Sequence, residues 1–365
     1  MVSRATGSRG SGANVTAGIA GIGSAFPGRI DQQALWDGWF ADKYGDNRIA
    51  ARAWSACRVT TRHAVVDPRH EDVSTWTTGQ RMERYAVESL PLGKEAITQA
   101  LAEAGVDASD VGQFVVASCT GYVTPGPDLL LARDLGMPTD VRRLVVGHMG
   151  CYAALPALSA AADYVRAHDR PAVVLCLELP SLHLQPLSPT AAHAVPSATD
   201  IEQVITHALF ADAAAAVVLV PGAGRTLADV QARTDTDSIG HMSWQVTDLG
   251  FRMGLSPEVP DVLARHVGPA VDDLLSRHGL ARRDVAGWAV HPGGPRILRV
   301  VEQALALSPD ALSSSYDILR EAGNCSSPTV MLVLERVLAA APDGPVVALA
   351  FGPGLTLYAG LLHSA

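Results

Sequence analysis

Three side chains in separate parts of the chain could together carry out nucleophilic chemistry on a carbonyl compound. Cys151 stands in GHMGCYAALPAL, between a glycine turn and an alanine-rich apolar run that predicts a buried helix. A cysteine at a helix N-terminus gains thiolate character from unpaired N–H groups and the helix dipole. His291 in WAVHPGGPRIL offers a base, and Asn324 in EAGNCSSPTVMLVL offers an amide that could stabilise an oxyanion.

Each of these residue types also has an ordinary structural role. Cysteine is among the most often buried residues, and a histidine at the end of an apolar strand is usually structural. An asparagine that follows a glycine commonly caps a helix or forms a turn. The case for chemistry therefore depends on whether the fold brings the three side chains together.

An internal repeat supplies that link. LAEAGVDASDVGQFVVAS, from Leu101, matches LSRHGLARRDVAGWAVHP, from Leu275, at an offset of 174 residues. The same offset carries Cys151 onto Cys325, next to Asn324, and it carries PAVVLC onto PVVALA. Three segments in one register predict that the chain contains two related halves.

The elements of these halves predict the fold class. Short β-branched runs such as QFVVAS and GPVVALAFG alternate with helical stretches such as KEAITQALAEAG, which is typical of an α/β sheet. We place the halves at residues 16–222 and 223–365. If they are related by a pseudo-twofold axis, the helices that begin near Cys151 and Asn324 meet at the centre and form a shared site.

Composition excludes several classes of partner. A net charge of −9 argues against nucleic acid or an anionic membrane surface, and no apolar run is long enough to cross a membrane. The five cysteines show no CxxC spacing, so we expect no metal site and a reducing, cytoplasmic location. Residues 1–15 are polar and rich in glycine and serine, which predicts a disordered N-terminal segment and no signal peptide.

A Cys–His–Asn set occurs in more than one class of enzyme. Papain-like proteases carry the three residues in the same order, but their cysteine lies near the mature N-terminus in a different context. A duplicated α/β chain favours the condensing enzymes of the thiolase fold.

The motifs GCYAALPAL, HPGGPRIL, GNCSS and FGPGLT resemble the chalcone synthase superfamily, the type III polyketide synthases. The resemblance covers nearly the whole chain after residue 16, and SCTGY and DLGFRMGLSPEVP are closer to bacterial members. It implies a thiolase-like duplicated αβαβα fold, a homodimer, acyl-CoA and malonyl-CoA as substrates, and no cofactor. Cys151 would carry the acyl chain, His291 would keep it ionised, and with Asn324 would bind the thioester carbonyl and the enolate.

The resemblance also implies a set of pocket residues. Phe210 matches a gatekeeping phenylalanine, Met253 replaces the second one, and Trp244 stands where plant enzymes have glycine. His183 falls where starter and chain length are controlled, and Thr124, before a proline whose peptide bond could be cis, would reach into the partner's cavity. The predicted substrate-binding residues are Phe210, Met253, Trp244, His183, Thr124, Cys119 and Ser326.

A basic stretch predicts where CoA phosphates bind. NRIAARAWSACRVTTR carries four arginines and no acid, although a solvated basic face is the ordinary alternative. Only Arg52 matches a CoA residue of the family, and the usual neighbouring lysine falls on Ala56. The predicted CoA-binding residues are Arg52, Arg48, Arg58, Gly293 and Gly294.

Two other functions stay open at this point. One is an enzyme like ketoacyl-ACP synthase III, which performs a single condensation and depends on a carrier protein. The other is a non-catalytic thiolase-fold scaffold, which would have no need for Cys151, His291 and Asn324 together. The sequence weakly favours an aliphatic or malonyl starter and leaves open a pyrone, a resorcinol-type phenol or a hydroxylated naphthalene.

Overall fold

A computed structural model describes residues 15–45, 47–187, 197–340 and 343–364. Residues 1–14 of the predicted N-terminal segment lie outside the described residues. The strands are β1 (Ala17–Ala25), β2 (Arg29–Asp31), β3 (Thr61–His63), β4 (Gln113–Ala117), β5 (Arg142–Val146), β6 (Ala172–Glu178), β7 (Ala213–Pro221), β8 (Arg225–Thr234), β9 (Met242–Thr247), β10 (Gly250–Leu255), β11 (Gly287–Val290), β12 (Val346–Gly352) and β13 (Thr356–His363). The helices are α1 (Gln32–Leu35), α2 (Ala41–Tyr44), α3 (Arg48–Ala56), α4 (Thr78–Ala104), α5 (Pro127–Asp134), α6 (Ala154–His168), α7 (Ala198–Leu209), α8 (Val259–Arg277), α9 (Pro295–Leu305), α10 (Ser313–Ala322) and α11 (Pro328–Ala340).

Nine strands form one mixed sheet in the order β11-β12-β13-β8-β1-β7-β6-β4-β5. Strand β1 pairs antiparallel with β7 on one side and with β8 on the other, so it joins the two halves of the sheet. The pairs β9–β10 and β2–β3 form two small sheets beside the main one.

The two halves repeat the same topology, as the offset of the motifs predicts. Strand β6 pairs parallel with β4 and antiparallel with β7, and β12 makes the equivalent pairs with β11 and β13. Residues 172–178 of β6 map onto 346–352 of β12 at the same offset, and the start of α6 maps onto the start of α11. Strand β5 has no counterpart among the described strands of the second half.

The layers follow from the alternation of side chains along the strands. Inward residues of β4 and β6, such as Val115 and Val174, pack with α6 and α11 in one buried cluster. Their neighbours Phe114 and Val173 face the opposite way and pack against α4. Helices α8 and α9 cover the second half in the same manner. The chain therefore has the expected layered αβαβα arrangement, with α6 and α11 at its centre.

Small side chains allow the two central helices to pack closely. Ala154, Ala157 and Ala161 of α6 are fully buried, and α11 contributes the larger Val330 and Met331 to the same cluster. This packing places the N-terminal ends of both helices at one end of the strands, where β11 also ends. The residues that precede α6 and α11 and follow β11 are Cys151, Asn324 and His291.

Candidate active site

The three predicted catalytic side chains line one cavity of about 470 Å³, which we call the main cavity. Its wall includes Cys151, His291 and Asn324 together with Gly293 and Gly294. The volume lies within the range of about 300–1,000 Å³ that is usual for small-molecule sites. The fold thus brings together residues that are up to 173 positions apart, from 151 to 324 in the sequence.

Cys151 lies in the 3-10 turn Gly150–Tyr152, directly before α6, and only 5% of its surface is exposed. Gly150 has φ 68°, a left-handed conformation that favours glycine. A Cβ at Gly150 would stand 2.5 Å from Cδ of Pro353. The loop after β12 therefore presses on the turn and fixes the position of the cysteine.

His291 is 1% exposed and follows β11, with its backbone N–H bonded to the carbonyl of Leu349 at 2.8 Å. Neither ring nitrogen has a hydrogen-bond partner among the described residues. Buried polar atoms without partners are rare, and each calls for an explanation, of which a catalytic role is one. Burial lowers the pKa of His291 to about 3, so the imidazole is neutral at physiological pH.

Asn324 is fixed by backbone and side-chain bonds. Its N–H donates to the carbonyl of Leu209 at 2.8 Å, and its own carbonyl accepts from Ala211 at 3.0 Å. Its Oδ1 accepts the backbone N–H of Ser326 at 2.9 Å. Because the amide oxygen is occupied, the amide NH₂ is the group left to donate towards the cavity.

Burial acts against the thiolate character that the sequence predicts for Cys151. Burial raises the pKa of its thiol to about 12, and the nearby charge of Glu178 acts in the same direction. Hydrogen bonds with the side chains of Ser326 and Asn324 oppose this rise without cancelling it. Desolvation at the buried end of the cavity therefore opposes the effect of the helix N-terminus on the thiol.

Glu178 is a buried carboxylate behind Cys151 that the sequence analysis missed. One of its oxygens accepts the N–H of Cys119 at 3.0 Å and the hydroxyl of Thr120 at 2.7 Å, and the other accepts from Ser327 at 2.9 Å. Burial raises the pKa of Glu178 to about 7. A usable signal exists in the sequence, because a glutamate ends the otherwise apolar run AVVLCLE.

A second cavity of about 80 Å³, the side cavity, adjoins the main cavity. Phe210 and Met253 line both cavities and so form part of the partition between them. This position suits the gate that the resemblance implies for these two residues, although that role stays a prediction. His183 and Trp244 line the side cavity and not the main one.

His183 and Trp244 are held firmly in place. The Trp244 indole donates to the carbonyl of Cys119 at 2.9 Å. Nδ1 of His183 accepts the N–H of Phe251 at 3.0 Å, so its Nε2 donates to the carbonyl of Thr120 at 2.7 Å. The His183 ring also stacks on Phe251 with centroids 4.3 Å apart. These bonds make His183 a fixed part of the wall, and burial lowers its pKa to about 4.

The other predicted substrate-binding residues lie around the cysteine or away from it. The side chain of Ser326, a residue with φ 59°, acts to lower the pKa of the Cys151 thiol. The sulfur of Cys119 accepts the N–H of Gly150 at 3.0 Å, so Cys119 supports the turn from behind. Thr124 is exposed, precedes a cis peptide bond as the sequence allows, and lines neither cavity within this chain.

The predicted CoA-binding arginines lie outside the cavity wall. Arg48 and Arg52 are exposed on α3, and Arg58 is exposed just after it. The main cavity is lined instead by Ala53 and Ala56 of α3 and by Cys57, which follows the helix.

Arg62, the fourth arginine of the basic stretch, is buried and has a different role. Its guanidinium donates to Gln32 at 2.7 Å and to the carbonyls of His207 at 2.7 Å and Phe210 at 2.8 Å. The basic stretch is therefore not a single surface patch. The cations in the described wall of the main cavity are Arg296 and Arg299, which the sequence analysis did not single out.

Comparison with known proteins agrees with this geometry. Models of the N-terminal and C-terminal domains of chalcone and stilbene synthases match residues 4–224 and 231–365. The chain is 31% identical over 361 residues to the alpha-pyrone synthesis polyketide synthase-like Pks18 of Mycobacterium tuberculosis, covering 93% of this chain and 89% of that protein. It is 35% identical over 320 residues to 1,3,6,8-tetrahydroxynaphthalene synthase of Streptomyces peucetius subsp. caesius, covering 85% and 82%. The crystal structure of PKS-I from the brown alga Ectocarpus siliculosus superposes with a TM-score of 0.87 at 28% identity, covering 97% of this chain and all of that one.

The chain therefore belongs to the chalcone and stilbene synthase family, the type III polyketide synthases. It is an enzyme of the acyltransferase type, and the expected family, fold class and general activity are confirmed. Enzymes of this family use CoA thioesters. Within the described part of the chain, no helix has the length and apolar character that crossing a membrane requires.

Proposed function

We propose that this enzyme loads an acyl group from acyl-CoA onto Cys151 and extends it with malonyl-CoA inside the main cavity. One observation carries the proposal: the thiol, the imidazole and the amide line the same cavity, and neither imidazole nitrogen has a hydrogen-bond partner in the part of the chain that the structure describes. Such nitrogens are free to exchange a proton with the thiol and to donate to a substrate oxygen.

In the loading step His291 acts as the base. As the sulfur of Cys151 attacks the thioester carbon, its proton passes to the imidazole, which burial keeps neutral and able to accept it. The carbonyl oxygen gains negative charge, and the NH₂ of Asn324 donates to it. The intermediate collapses, the CoA sulfur leaves and takes the proton back from His291, and the acyl group remains on Cys151.

In the extension step the same two donors stabilise an enolate. Malonyl-CoA loses CO₂, and the electrons of the broken C–C bond form an enolate whose oxygen accepts from the NH₂ of Asn324 and from the N–H of the neutral His291 imidazole. The enolate carbon attacks the acyl carbon on Cys151, a new C–C bond forms, and the cysteine sulfur leaves. The chain, now on CoA, reloads onto Cys151 or cyclises. Both donors act mainly on charge that develops during the reaction, which is the condition for catalysis.

The enzyme is further proposed to act as a homodimer. Strand β5 is an edge strand of the main sheet, and its Leu144 and Val145 are exposed. Tyr122 and Leu129, on the segment that contains Thr124, are also exposed. An exposed strand edge with apolar side chains is a surface on which another chain can pair. A second copy at this surface would bring Thr124 towards the partner's cavity, as the resemblance implies.

The relatives suggest the class of product. One relative is named for alpha-pyrone synthesis and another is a 1,3,6,8-tetrahydroxynaphthalene synthase. For this chain we propose an aliphatic or malonyl starter and cyclisation to a pyrone or a phenol, because Trp244 narrows the space beyond Phe210 and Met253. We keep a cytoplasmic location as part of the proposal, in keeping with five cysteines that are all free thiols.

Product analysis by mass spectrometry tests the proposal. Wild type, Cys151→Ala and Cys57→Ala are incubated with malonyl-CoA and a panel of acyl-CoA starters. Cys57 is a matched control because it lines the same cavity and burial also raises its pKa to about 12. We expect multiply extended products from wild type and from Cys57→Ala, and none from Cys151→Ala. A single condensation that needs a carrier protein would instead support an enzyme like ketoacyl-ACP synthase III, and no acyl transfer at all would support a scaffold.

A further inference from the structure

We propose that Arg299 of α9, assisted by Arg58, binds a phosphate group of the CoA substrates. The inference rests on the proposed use of CoA thioesters and assigns the anionic end of those substrates to a part of the main cavity. It moves the principal phosphate contact from α3, where the sequence predicted it, to the first turns of α9.

The charge distribution of the main cavity carries the first step. Among the described lining residues, Arg296 and Arg299 are the only lysine or arginine side chains, and both are exposed. They therefore lie where the cavity opens to solvent, whereas Cys151 and His291 are buried at its inner end. Glu202 is a carboxylate that lines both the main cavity and the side cavity. It therefore belongs to the partition between the two cavities and not to the opening of the main cavity.

The two arginines differ in whether their charge is compensated. Arg296 lies 3.5 Å from a carboxylate oxygen of Asp261 and donates to the carbonyl of Pro257 at 3.3 Å. Within the described ranges no carboxylate lies within 4.0 Å of the Arg299 guanidinium. Arg299 is thus the lining cation that is free to meet an anionic ligand.

A second exposed arginine, Arg58, lies on another segment that borders the main cavity. Burial, followed by the hydrogen bond to Glu302, raises the pKa of Tyr316 to about 12, and the charges of Arg299 and Arg58 oppose that rise. The Tyr316 hydroxyl itself donates to the carboxylate of Glu302 at 3.1 Å. Arg58 directly follows the α3 residues that line the cavity. Arg299 in the cavity wall and Arg58 next to the lining residue Cys57 are thus two cations on separate elements that a phosphate group could stabilise.

The rest of the cavity matches the other parts of a CoA thioester. The unpartnered nitrogens of His291 lie at the inner end, where the thioester reacts. Apolar side chains such as Leu209 and Leu255 line the wall and suit the uncharged pantetheine arm. Helix α9 begins at Pro295, so its positive N-terminal end adds to the charge of its two arginines at the opening.

Kinetics with two malonyl thioesters test the proposal. Malonyl-CoA is compared with malonyl-pantetheine, which has the same arm and no phosphate, using wild type, Arg299→Ala and Arg58→Ala. Arg283→Ala is the control, because its side chain is 85% exposed and lines neither cavity. Loss of a charge-assisted contact should raise the KM for malonyl-CoA about tenfold in Arg299→Ala and less in Arg58→Ala. The kcat for malonyl-CoA and the KM for malonyl-pantetheine should stay unchanged.

Equal losses with both thioesters in Arg299→Ala would overturn the proposal, because a structural defect does not discriminate between them. An unchanged KM for malonyl-CoA would overturn it as well. Titration calorimetry with CoA itself adds a readout without turnover, and Arg299→Ala should weaken this binding while Arg283→Ala should not. If wild type consumed neither thioester, the proposed function would fail, and the calorimetry would still decide the role of Arg299.

Discussion

The contact between Gly150 and Pro353 makes a specific prediction about how Cys151 is held. In Gly150→Ala the new Cβ would lie 2.5 Å from Cδ and 2.9 Å from Cγ of the Pro353 ring, at a residue with φ 68°. The left-handed conformation costs an alanine roughly 1–2 kcal/mol, and overpacking against a rigid ring costs about 1–3 kcal/mol more. We therefore expect the free energy of unfolding to fall by about 2–5 kcal/mol.

Gly279→Ala separates the two contributions. Gly279 also has φ 68°, but nothing lies within 4 Å of the position of its Cβ. This variant should lose only the conformational part, roughly 1–2 kcal/mol. Urea denaturation of both variants at one pH measures the difference.

The same pair tests the link from packing to chemistry. The proline ring cannot yield easily, so the Gly150 turn must move and carry Cys151 away from its hydrogen-bond partners. We expect slower acylation of Cys151 in Gly150→Ala and normal acylation in Gly279→Ala. If both variants lose the same stability and keep the same acylation rate, the loop after β12 does not position the cysteine.

Three further predictions follow from the site. Asn324→Asp keeps the acceptor for the N–H of Ser326 but replaces the NH₂ donor with a carboxylate. The rate of malonyl-CoA decarboxylation should therefore fall by a factor of about 10²–10³, while the thermal unfolding temperature changes little. A rate near that of wild type would remove Asn324 from the mechanism. Burial raises the pKa of Glu178 above its value in the unfolded chain, to about 7, so its contribution to stability is complete below about pH 4.5 and is lost as the pH rises through 7. Relative to Glu178→Gln, wild type should therefore lose on the order of 3 kcal/mol of unfolding free energy across this interval, and parallel curves for the two proteins would contradict the assignment. Trp244→Ala removes the indole from the side cavity together with its hydrogen bond to Cys119. Mass spectrometry should then show products from larger starters, or longer products, than wild type makes. An unchanged product range would mean that Trp244 does not limit the size of the cavity.

The main features of the fold could be predicted because the chain encodes them twice. The equivalent strands and the central helices α6 and α11 bury small and β-branched residues in both halves. The repeat that begins at Leu101 and at Leu275 therefore predicts how these elements pack against each other. The convergence of Cys151 and Asn324 follows from the same symmetry, because each precedes one of the two central helices. His291 joins them because β11 ends at the same edge of the sheet.

Features that depend on tertiary burial could not be predicted in the same way. The pKa of Cys151 depends on how completely the cavity excludes water from the sulfur. A glycine turn before a helix, which is what the sequence shows, does not predict that degree of burial. Arg62 belongs to a basic stretch, but its guanidinium is buried and donates hydrogen bonds to carbonyls at the end of α7. Nothing in the sequence distinguishes Arg299 from other surface arginines. Its place in the wall of the main cavity is visible only in the structure.

The most direct test of the account is the acylation rate of Cys151 as a function of pH. Wild type, Cys151→Ala and His291→Ala are mixed with an acyl-CoA that wild type accepts, quenched, and mapped by peptide mass spectrometry. A neutral thiol that passes its proton to a neutral imidazole predicts acylation at Cys151 with a rate nearly constant from about pH 6 to pH 9. In His291→Ala the thiol must ionise alone, so the rate should be far lower and rise about tenfold per pH unit. Acylation at another residue, or the same pH dependence with and without His291, would contradict the central claim.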